Sequence, residues 1–122
     1  MILIDTDLPK ALIHSTNKIF AGVHYRKRAK IKNDYLWWFK SLKIDTGALT
    51  LDINNGVYFR YTFIFGKSKR CFDCDNCSFM GKLITDCIVK NGIIKDDSPK
   101  YIRKVSYESK KGKDSRVLLE VF

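Results

Sequence analysis

The stretch Val57–Phe65 constrains the fold more than any other part of the chain. Eight of its nine residues, VYFRYTFIF, are aromatic or β-branched, the residue types that favour strands. Because strand side chains alternate between faces, the odd-numbered residues from Val57 to Phe65 share one apolar face, and Tyr58, Arg60 and Thr62 lie on the other. A sheet with such a face must pack against another layer, which predicts helices or a second sheet over it.

Two segments carry apolar residues at helical spacing and can supply that layer. The first runs from about Lys27 to Lys43, and we expect it to end at Thr46-Gly47. The second runs from about Asn76 to Lys90, and Asn91-Gly92 provides a left-handed C-terminal stop. Each helix has one apolar stripe: Ile31, Tyr35, Trp38, Phe39 and Leu42 in the first, and Met80, Leu83, Ile84, Cys87 and Ile88 in the second.

The remaining segments complete a single sheet. Ile2–Leu8 is a short strand ended by Pro9, residues 10–24 lack a clear period and are expected to form a loop, and Asn54-Asn55-Gly56 marks a turn. Two closing strands, 101–108 and 116–122, flank a predicted hairpin loop that contains Lys111-Gly112-Lys113. We therefore predict one domain over residues 1–122. Its fold class is α/β (mixed α+β): a single mixed β-sheet with two main helices packed on it, in the order β-α-β-α-β-β, with room for an extra strand at 48–53.

The charge balance points to a polyanionic partner. Twenty-three Lys and Arg side chains against 13 Asp and Glu give a net charge of +10, a strong field for a small protein. A soluble basic protein without a nucleic-acid role is the alternative. No apolar run approaches the roughly 20 residues that cross a bilayer, and MILIDTDLPK lacks the layout of a signal peptide. We expect a cytoplasmic protein that does not act at a membrane, located in the host cytoplasm if the chain is viral.

Acidic residues concentrate in one part of this basic chain. Residues 1–70 contain 13 basic and five acidic side chains, whereas the short window 73–97 contains five carboxylates. Crowded carboxylates repel one another unless a cation lies among them, and Mg²⁺ prefers carboxylate oxygens. If extended backbone continues through Asp73-Cys74-Asp75, both carboxylates project from one side. Asp75 is also placed to cap the following helix. The alternative is that Asp73 and Asp75 are turn residues and Asp96-Asp97 a solvated loop, because D-x-D alone is a common pattern.

The ordered pattern around these aspartates resembles the RusA family of Holliday junction resolvases. The matching residues are Asp73-Cys74-Asp75-Asn76, then Lys82, Asp86 and Ile88, then Gly92 and Asp96-Asp97. Thr16-Asn17-Lys18 and the basic segment that follows also resemble that family's early asparagine and basic loop. The match covers about residues 14–120, and the ordered combination is much more specific than any of its parts. The interval from D-x-D-N to the lysine is about three residues longer than in the shortest family members, which rotates a helix by about 300° and moves Lys82 by about 60°.

The resemblance implies a dimeric endonuclease that cuts four-way DNA junctions with Mg²⁺, for which Mn²⁺ could substitute. Asp73, Asp75 and Asp97 would ligate the metal, and Asp96 would support Asp97. Lys82 would bind the scissile phosphate or stabilise transition-state charge. The alternative for Lys82 is a surface ion pair with Asp86, four residues on.

Cys71, Cys74 and Cys77 are spaced C-x2-C-x2-C, with Cys87 ten residues further on. Thiolates at such spacing can share a tetrahedral zinc ion. Buried free thiols in a reducing compartment are the simpler interpretation, because Cys87 belongs to the apolar stripe of the second helix. A zinc-stabilised DNA-binding module and a non-catalytic junction-binding protein are the rivals of the nuclease hypothesis.

Basic residues near the first helix are the expected DNA contacts. Five of them fall within seven positions, at the start of a helix whose dipole they oppose, which favours a ligand-driven reason for their presence. They would contact phosphates, which give affinity without reading sequence. Trp37 lies off the apolar stripe and could stack on an unpaired base or contribute to a dimer interface. The predicted DNA-binding residues are Lys18, Arg26, Lys27, Arg28, Lys30, Lys32, Lys69 and Arg70.

Overall fold

A computed structural model describes residues 1–20, 22, 25–44 and 55–122. It has a mixed α/β fold in which helices cover one face of a four-stranded sheet. Within the described ranges, no helix is long and apolar enough to cross a membrane. The elements are β1 (Ile2–Asp7), a 3₁₀ helix (Lys10–Leu12), α1 (Thr16–Phe20), α2 (Tyr25–Ser41), β2 (Val57–Phe65), a second 3₁₀ helix (Cys74–Cys77), α3 (Ser78–Lys90), β3 (Ile102–Lys111) and β4 (Arg116–Val121).

The sheet has the strand order β1-β4-β2-β3. Strands β2 and β3 are parallel and are connected through α3, while β4 is antiparallel to both β2 and β1. The predicted hairpin of the two closing strands is therefore wrong, because β2 lies between them. Their connection instead crosses the end of β2, where Gly112 N donates to Phe65 O at 2.9 Å and Gly66 N donates to the Ser115 hydroxyl at 3.0 Å.

The apolar face of β2 forms the centre of the core, as its alternating pattern predicted. All five odd-numbered residues of β2 are at most 2% exposed, and the predicted stripe of α3 is buried against them. The Tyr61 hydroxyl lies 2.8 Å from Thr85 Oγ1, which in turn donates to Gly81 O at 2.9 Å. These bonds satisfy the polar atoms that the core encloses, and they fix the rotation of α3 over the sheet.

Gly81 allows α3 to lie unusually close to β3. A Cβ atom at this position would stand 2.4 Å from Cε1 of Tyr107. The Tyr107 ring lies over Gly81 and stacks on Tyr61, with 5.8 Å between ring centroids and 14° between planes. The packing of Tyr61 from β2 and Tyr107 from β3 therefore depends on one position of α3 that has no side chain.

The N-terminal third contains more structure than its sequence predicted. Residues 10–24 were expected to form a loop, but Lys10–Leu12 is a 3₁₀ helix and Thr16–Phe20 is a short α-helix. Tertiary contacts stabilise them, since Leu12 is buried and the hydroxyl of buried Tyr35 donates to Leu12 O at 2.5 Å. Helix α2 begins and ends two residues earlier than predicted; of its stripe, Ile31, Tyr35 and Phe39 are buried and Trp38 and Leu42 half-buried.

The other face of the sheet has no helix over it in the described ranges, and several of its charges form ion pairs. Arg116 bridges Asp5 at 2.9 Å and Asp7 at 2.8 Å, and Arg60 forms a two-pronged pair with Glu120. Thr62 lies on this face, as its place in the alternating pattern predicted, and is only 2% exposed. Its hydroxyl donates to Glu108 at 3.4 Å.

Three predictions fall wholly or partly outside the described residues. These are the helix end at Thr46-Gly47, the extra strand at 48–53 and the first residue of the Asn54-Asn55-Gly56 turn. Gly56, which is described, has a φ of +92°, a value that glycine adopts readily.

Gly92 is the predicted left-handed stop of α3, and its φ of +74° confirms that prediction. We expect Gly92→Ala to lower the free energy of unfolding by about 1 kcal/mol, because an L side chain is strained in this conformation. Gly92→Asn should cost less, since asparagine tolerates the left-handed region. Urea unfolding of the three proteins would measure the order Gly, Asn, Ala. Equal stability of all three would contradict the assignment, since no atom lies within 4 Å of the missing Cβ to compensate.

Candidate functional site

Thr16 and Asn17 tie the N-terminal segment to the start of α3. The Thr16 hydroxyl donates to Asn76 O at 3.1 Å, lies 3.0 Å from the Ser78 hydroxyl and accepts from Phe79 N at 2.9 Å. Asn17 N donates to the side-chain oxygen of Asn76 at 3.2 Å. Thr16 thus satisfies a free N–H in the first turn of α3, a task usually performed by a residue that precedes the helix. The early Thr-Asn pair and the D-x-D-N segment are one structural unit.

Asp73 and Asp75 lie at the surface immediately before α3. Asp73 is extended, with φ −64° and ψ 151°, but the backbone turns into the 3₁₀ helix at Cys74. The condition under which both carboxylates would project from one side, extended backbone through Asp75, is therefore not met. Asp75 also does not cap a helix through its side chain: it lies inside the 3₁₀ helix, and its backbone oxygen accepts from Ser78 N. The 3₁₀ helix forms because Asn76 N donates to Asp73 O at 2.9 Å.

Lys82 holds two carboxylates on the exposed side of α3. Its Nζ lies 3.0 Å from Asp86 Oδ1 and 3.6 Å from Asp97 Oδ2. The hydrogen bond to Asp86 is the main cause that raises the pKa of Lys82; partial burial opposes the rise, and the Asp97 carboxylate adds to it. The structure thus brings Lys82 and Asp97 together, because the chain folds back after Gly92. The Asp96 side chain accepts a hydrogen bond from Asp97 N, at 2.9 Å.

The donor chemistry at Asp73 and Asp75 suits a hard cation. Neither carboxylate has a hydrogen bond or an ion pair within the described ranges, and both are exposed to solvent. Carboxylate oxygens in this state are the ligands that Mg²⁺ prefers. Asp97, by contrast, is engaged by Lys82. Among residues 1–20, 22, 25–44 and 55–122, no three His, Cys, Asp or Glu side chains stand close enough to hold a metal ion. The predicted set Asp73, Asp75 and Asp97 is thus divided between two places.

Lysines from three separate segments converge around His14. Its Nε2 lies 2.8 Å from Ala11 O. Burial is the main cause that lowers the pKa of His14; the bond to Ala11 opposes it, and the charges of Lys18, Lys27 and Lys69 lower the value further. These lysines come from α1, α2 and the segment after β2. Three of the predicted DNA-binding residues therefore contribute to one positive surface.

The other predicted DNA contacts differ in how they are held. Lys30 forms an ion pair with Asp34 at 2.9 Å and is partly neutralised. Arg26 lies over the ring of Tyr25, 5.9 Å from its centroid. Arg28 and Lys32 line a cleft between α2 and α3. Arg70 follows Lys69 directly, in a segment whose carbonyl oxygens at 66, 67 and 69 accept from the Lys111 ammonium.

The cysteines near Asp73 and Asp75 are free thiols in different environments. Cys77 is fully buried, and burial raises its pKa to about 12. Burial likewise raises the pKa of Cys87, in the core, to about 11. Cys71 is half-buried, with its sulfur 3.2 Å from the Ser109 hydroxyl, whereas Cys74 is exposed. Burial therefore favours the protonated form of the Cys77 and Cys87 thiols.

Comparisons of this chain with protein-family models, with curated proteins and with solved structures found no match. The resemblance to the RusA resolvases therefore stands on the residues of this sequence and stays a prediction.

Several residues of this region were not identified from the sequence. Tyr25 and Tyr107 line the cleft between α2 and α3, and His14 lies among the converging lysines. Tyr25 and Tyr107 are far apart in the chain and belong to no recognisable motif. Their proximity arises from sheet pairing and helix packing, which local sequence patterns do not encode.

We expect thiol reactivity to follow these environments. In the native protein at pH 8, Ellman's reagent should modify Cys74 first and leave Cys77 and Cys87 protected, because buried thiols with raised pKa values supply little reactive thiolate. Cys74→Ser should remove the fast phase, and all 4 cysteines should react in guanidinium chloride. Protection of Cys74 that a chelator relieves, together with bound zinc, would instead favour the zinc-stabilised module.

Proposed function

We propose that the chain is a Mg²⁺-dependent endodeoxyribonuclease that resolves Holliday junctions by paired symmetric nicks, in DNA recombination and repair. The observation that carries the proposal is the pair of exposed carboxylates of Asp73 and Asp75, which have no partner in the described ranges. Six other described carboxylates are in ion pairs: Asp5, Asp7, Asp34, Asp86, Asp97 and Glu120. In a chain of charge +10, two carboxylates that lie two positions apart in the sequence and have no counter-charge are suited to recruit a cation.

Asp73 and Asp75 would hold the metal; the RusA pattern adds Asp97 as a third ligand, but in this structure Asp97 lies apart from them, paired with Lys82. When bound, Mg²⁺ would polarise the phosphoryl oxygens and stabilise the departing oxyanion. Lys82, which is paired with Asp86 and Asp97, would bind the scissile phosphate or stabilise transition-state charge. The hydrogen bond to Asp86 is the main cause that raises the pKa of Lys82. Asp86 keeps the ammonium within reach from the next turn of α3.

The substrate would be branched DNA, bound through the lysines around His14. They lie in segments adjoining the proposed metal ligands: Lys69 is four residues from Asp73, and Lys18 follows Asn17, which bonds to Asn76. A four-way junction presents two equivalent strands, so a homodimer with a two-fold axis would deliver two symmetric nicks. Sedimentation at micromolar concentration tests this assembly, and a strictly monomeric protein that makes unpaired nicks would contradict it.

Asp75→Asn tests the chemistry. We expect it to lower the rate of junction cleavage by more than about 100-fold, beyond the 10–100-fold that loss of an outer-shell group typically costs. Junction binding should be kept or become tighter, because the substitution removes a negative charge near the phosphates. Cleavage of a synthetic four-way junction with Mg²⁺, with linear duplex as the control substrate, provides the measurement.

The matched control for that variant is Asp5→Asn. It removes the same charge from a 53% exposed carboxylate on the helix-free face of the sheet. Its cleavage rate should equal that of the wild type. If Asp75→Asn cuts as fast as Asp5→Asn, the assignment of Asp75 is wrong. If the wild-type protein binds junctions but never cuts them, the non-catalytic rival is correct.

The basic surface gives a separate prediction about binding. Lys18→Gln combined with Lys27→Gln should weaken binding to all DNA sequences alike. It should also reduce the log–log salt slope by about 0.9 per lost phosphate contact, or about 1.8 for both, and twice that if both protomers contribute. Titrations between about 50 and 200 mM salt would measure the slope. The control is Lys104→Gln with Lys110→Gln, an equal charge change on the opposite face of the sheet, as their pairing with Tyr58 and Ile64 shows. Equal slopes for the two double variants would contradict the location of the surface.

A further inference from the structure

A cleft of about 740 Å³ lies between α2, α3 and β3, next to the Lys82–Asp97 pair. This volume falls in the range of pockets that take small organic groups. Its inner wall is mostly apolar and comes from α3 and β3, while its rim carries charged side chains from both helices. The apolar residues that line it are Phe79, Leu83, Ile102, Val105 and Tyr107.

Tyr107 gives the cleft a rigid aromatic wall. Its ring is fixed between Gly81 and the stacked ring of buried Tyr61. Its hydroxyl has no hydrogen-bond partner in the described ranges. Every buried side-chain polar atom in those ranges does have a partner, so the Tyr107 hydroxyl is not buried. The hydroxyl is therefore accessible from the cleft and can bond to a ligand.

Tyr25 and two cations form the opposite wall. Tyr25, Arg28 and Lys32 occur at positions i, i+3 and i+7 of α2, so they share one helix face. Tyr25 is 62% exposed, and Arg26 lies over its ring, 5.9 Å from the centroid. Neither Arg28 nor Lys32 has an ion-pair partner among the described residues. Across the cleft, Asp86 and Asp97 offer hydrogen-bond acceptors beside Lys82.

We propose that this cleft binds one unpaired nucleotide of the DNA, with its base against Tyr25 and Tyr107 and its phosphate on Arg28 and Lys32. The exposed Tyr25 ring beside Arg28 and Lys32 matches a ligand that is planar and anionic, which is the chemistry of a nucleotide. The Asp86 carboxylate can accept from an exocyclic amine of the base. A base in the cleft would lie close to Lys82 and Asp97, so the adjoining phosphodiester would be near the proposed catalytic residues. The inference rests on the proposed function for the identity of its substrate.

Base unstacking can be measured with a four-way junction that carries 2-aminopurine at the branch point, titrated in EDTA so that no cleavage occurs. Wild-type protein should increase the fluorescence as the base leaves its stack. Tyr25→Ala should abolish the increase and weaken binding by about 5- to 150-fold, the range for the loss of one base–aromatic stack. Tyr25 is exposed, so the substitution should leave the fold intact. Tyr107→Phe keeps the buried ring and removes the hydroxyl, and it should weaken binding less than Tyr25→Ala does.

Tyr58→Ala is the matched control. Tyr58 is 50% exposed on the helix-free face of the sheet and does not line the cleft. The variant should bind and unstack the junction like the wild type. The proposal is overturned if Tyr25→Ala behaves like Tyr58→Ala, or if the wild type gives no fluorescence change on binding.

A cleavage assay with Mg²⁺ separates this inference from the proposed function. Nicking by a wild type that shows no unstacking would leave the nuclease proposal standing and overturn the cleft assignment. Unstacking that depends on Tyr25, in a protein that never nicks, would support the cleft and overturn the enzyme.

Discussion

The absence of a side chain at Gly81 is the constraint on which the arrangement of this molecule depends. It lets α3 approach β3 closely enough for the Tyr107 ring to lie between the helix and Tyr61. The bond between Tyr61 and Thr85 then fixes the rotation of the helix. Because that rotation is fixed, Lys82 and Asp86 project outward on the side where the chain returns with Asp97. A different helix depth or rotation would separate the ammonium from the carboxylate.

Charge is distributed unevenly between the two faces of the sheet. On the face without helices, Asp5, Asp7 and Glu120 are matched by Arg116 and Arg60. Exposed pairs of this kind contribute little to stability, about 0–1 kcal/mol each. Their larger effect is to make that face nearly neutral. The excess of positive charge is left to the helical side, where the lysines around His14 and the unpartnered Asp73 and Asp75 lie.

Local patterns predicted the elements of this fold well, and pairing between distant elements poorly. The bounds of β2 and the buried stripe of α3 follow from periodicity that a short window contains. The hairpin prediction failed because strands that follow one another in the chain need not be neighbours in the sheet. Here β2, the most apolar strand, lies between β3 and β4. Helix α1 was missed because its five residues owe their stability to the bonds of Thr16 and Asn17 with a segment about 60 residues away. The cleft depends on the same long-range packing, so only its separate residues were visible in the sequence.

The position of β4 in the sheet has a consequence for how the protein forms during synthesis. Strand β1 is the first described strand in the chain, yet among the described strands it pairs only with β4, the last of them. A ribosome that has released residues 1–115 has exposed β1 without the strand that pairs with it, and one edge of β2 is open as well. Contacts of such high sequence separation form slowly, and unpaired edges are prone to aggregate. The nascent chain would thus lack a complete sheet for α3 to pack on until β4 emerges. A shortened translation product would then be an aggregation hazard rather than an active fragment.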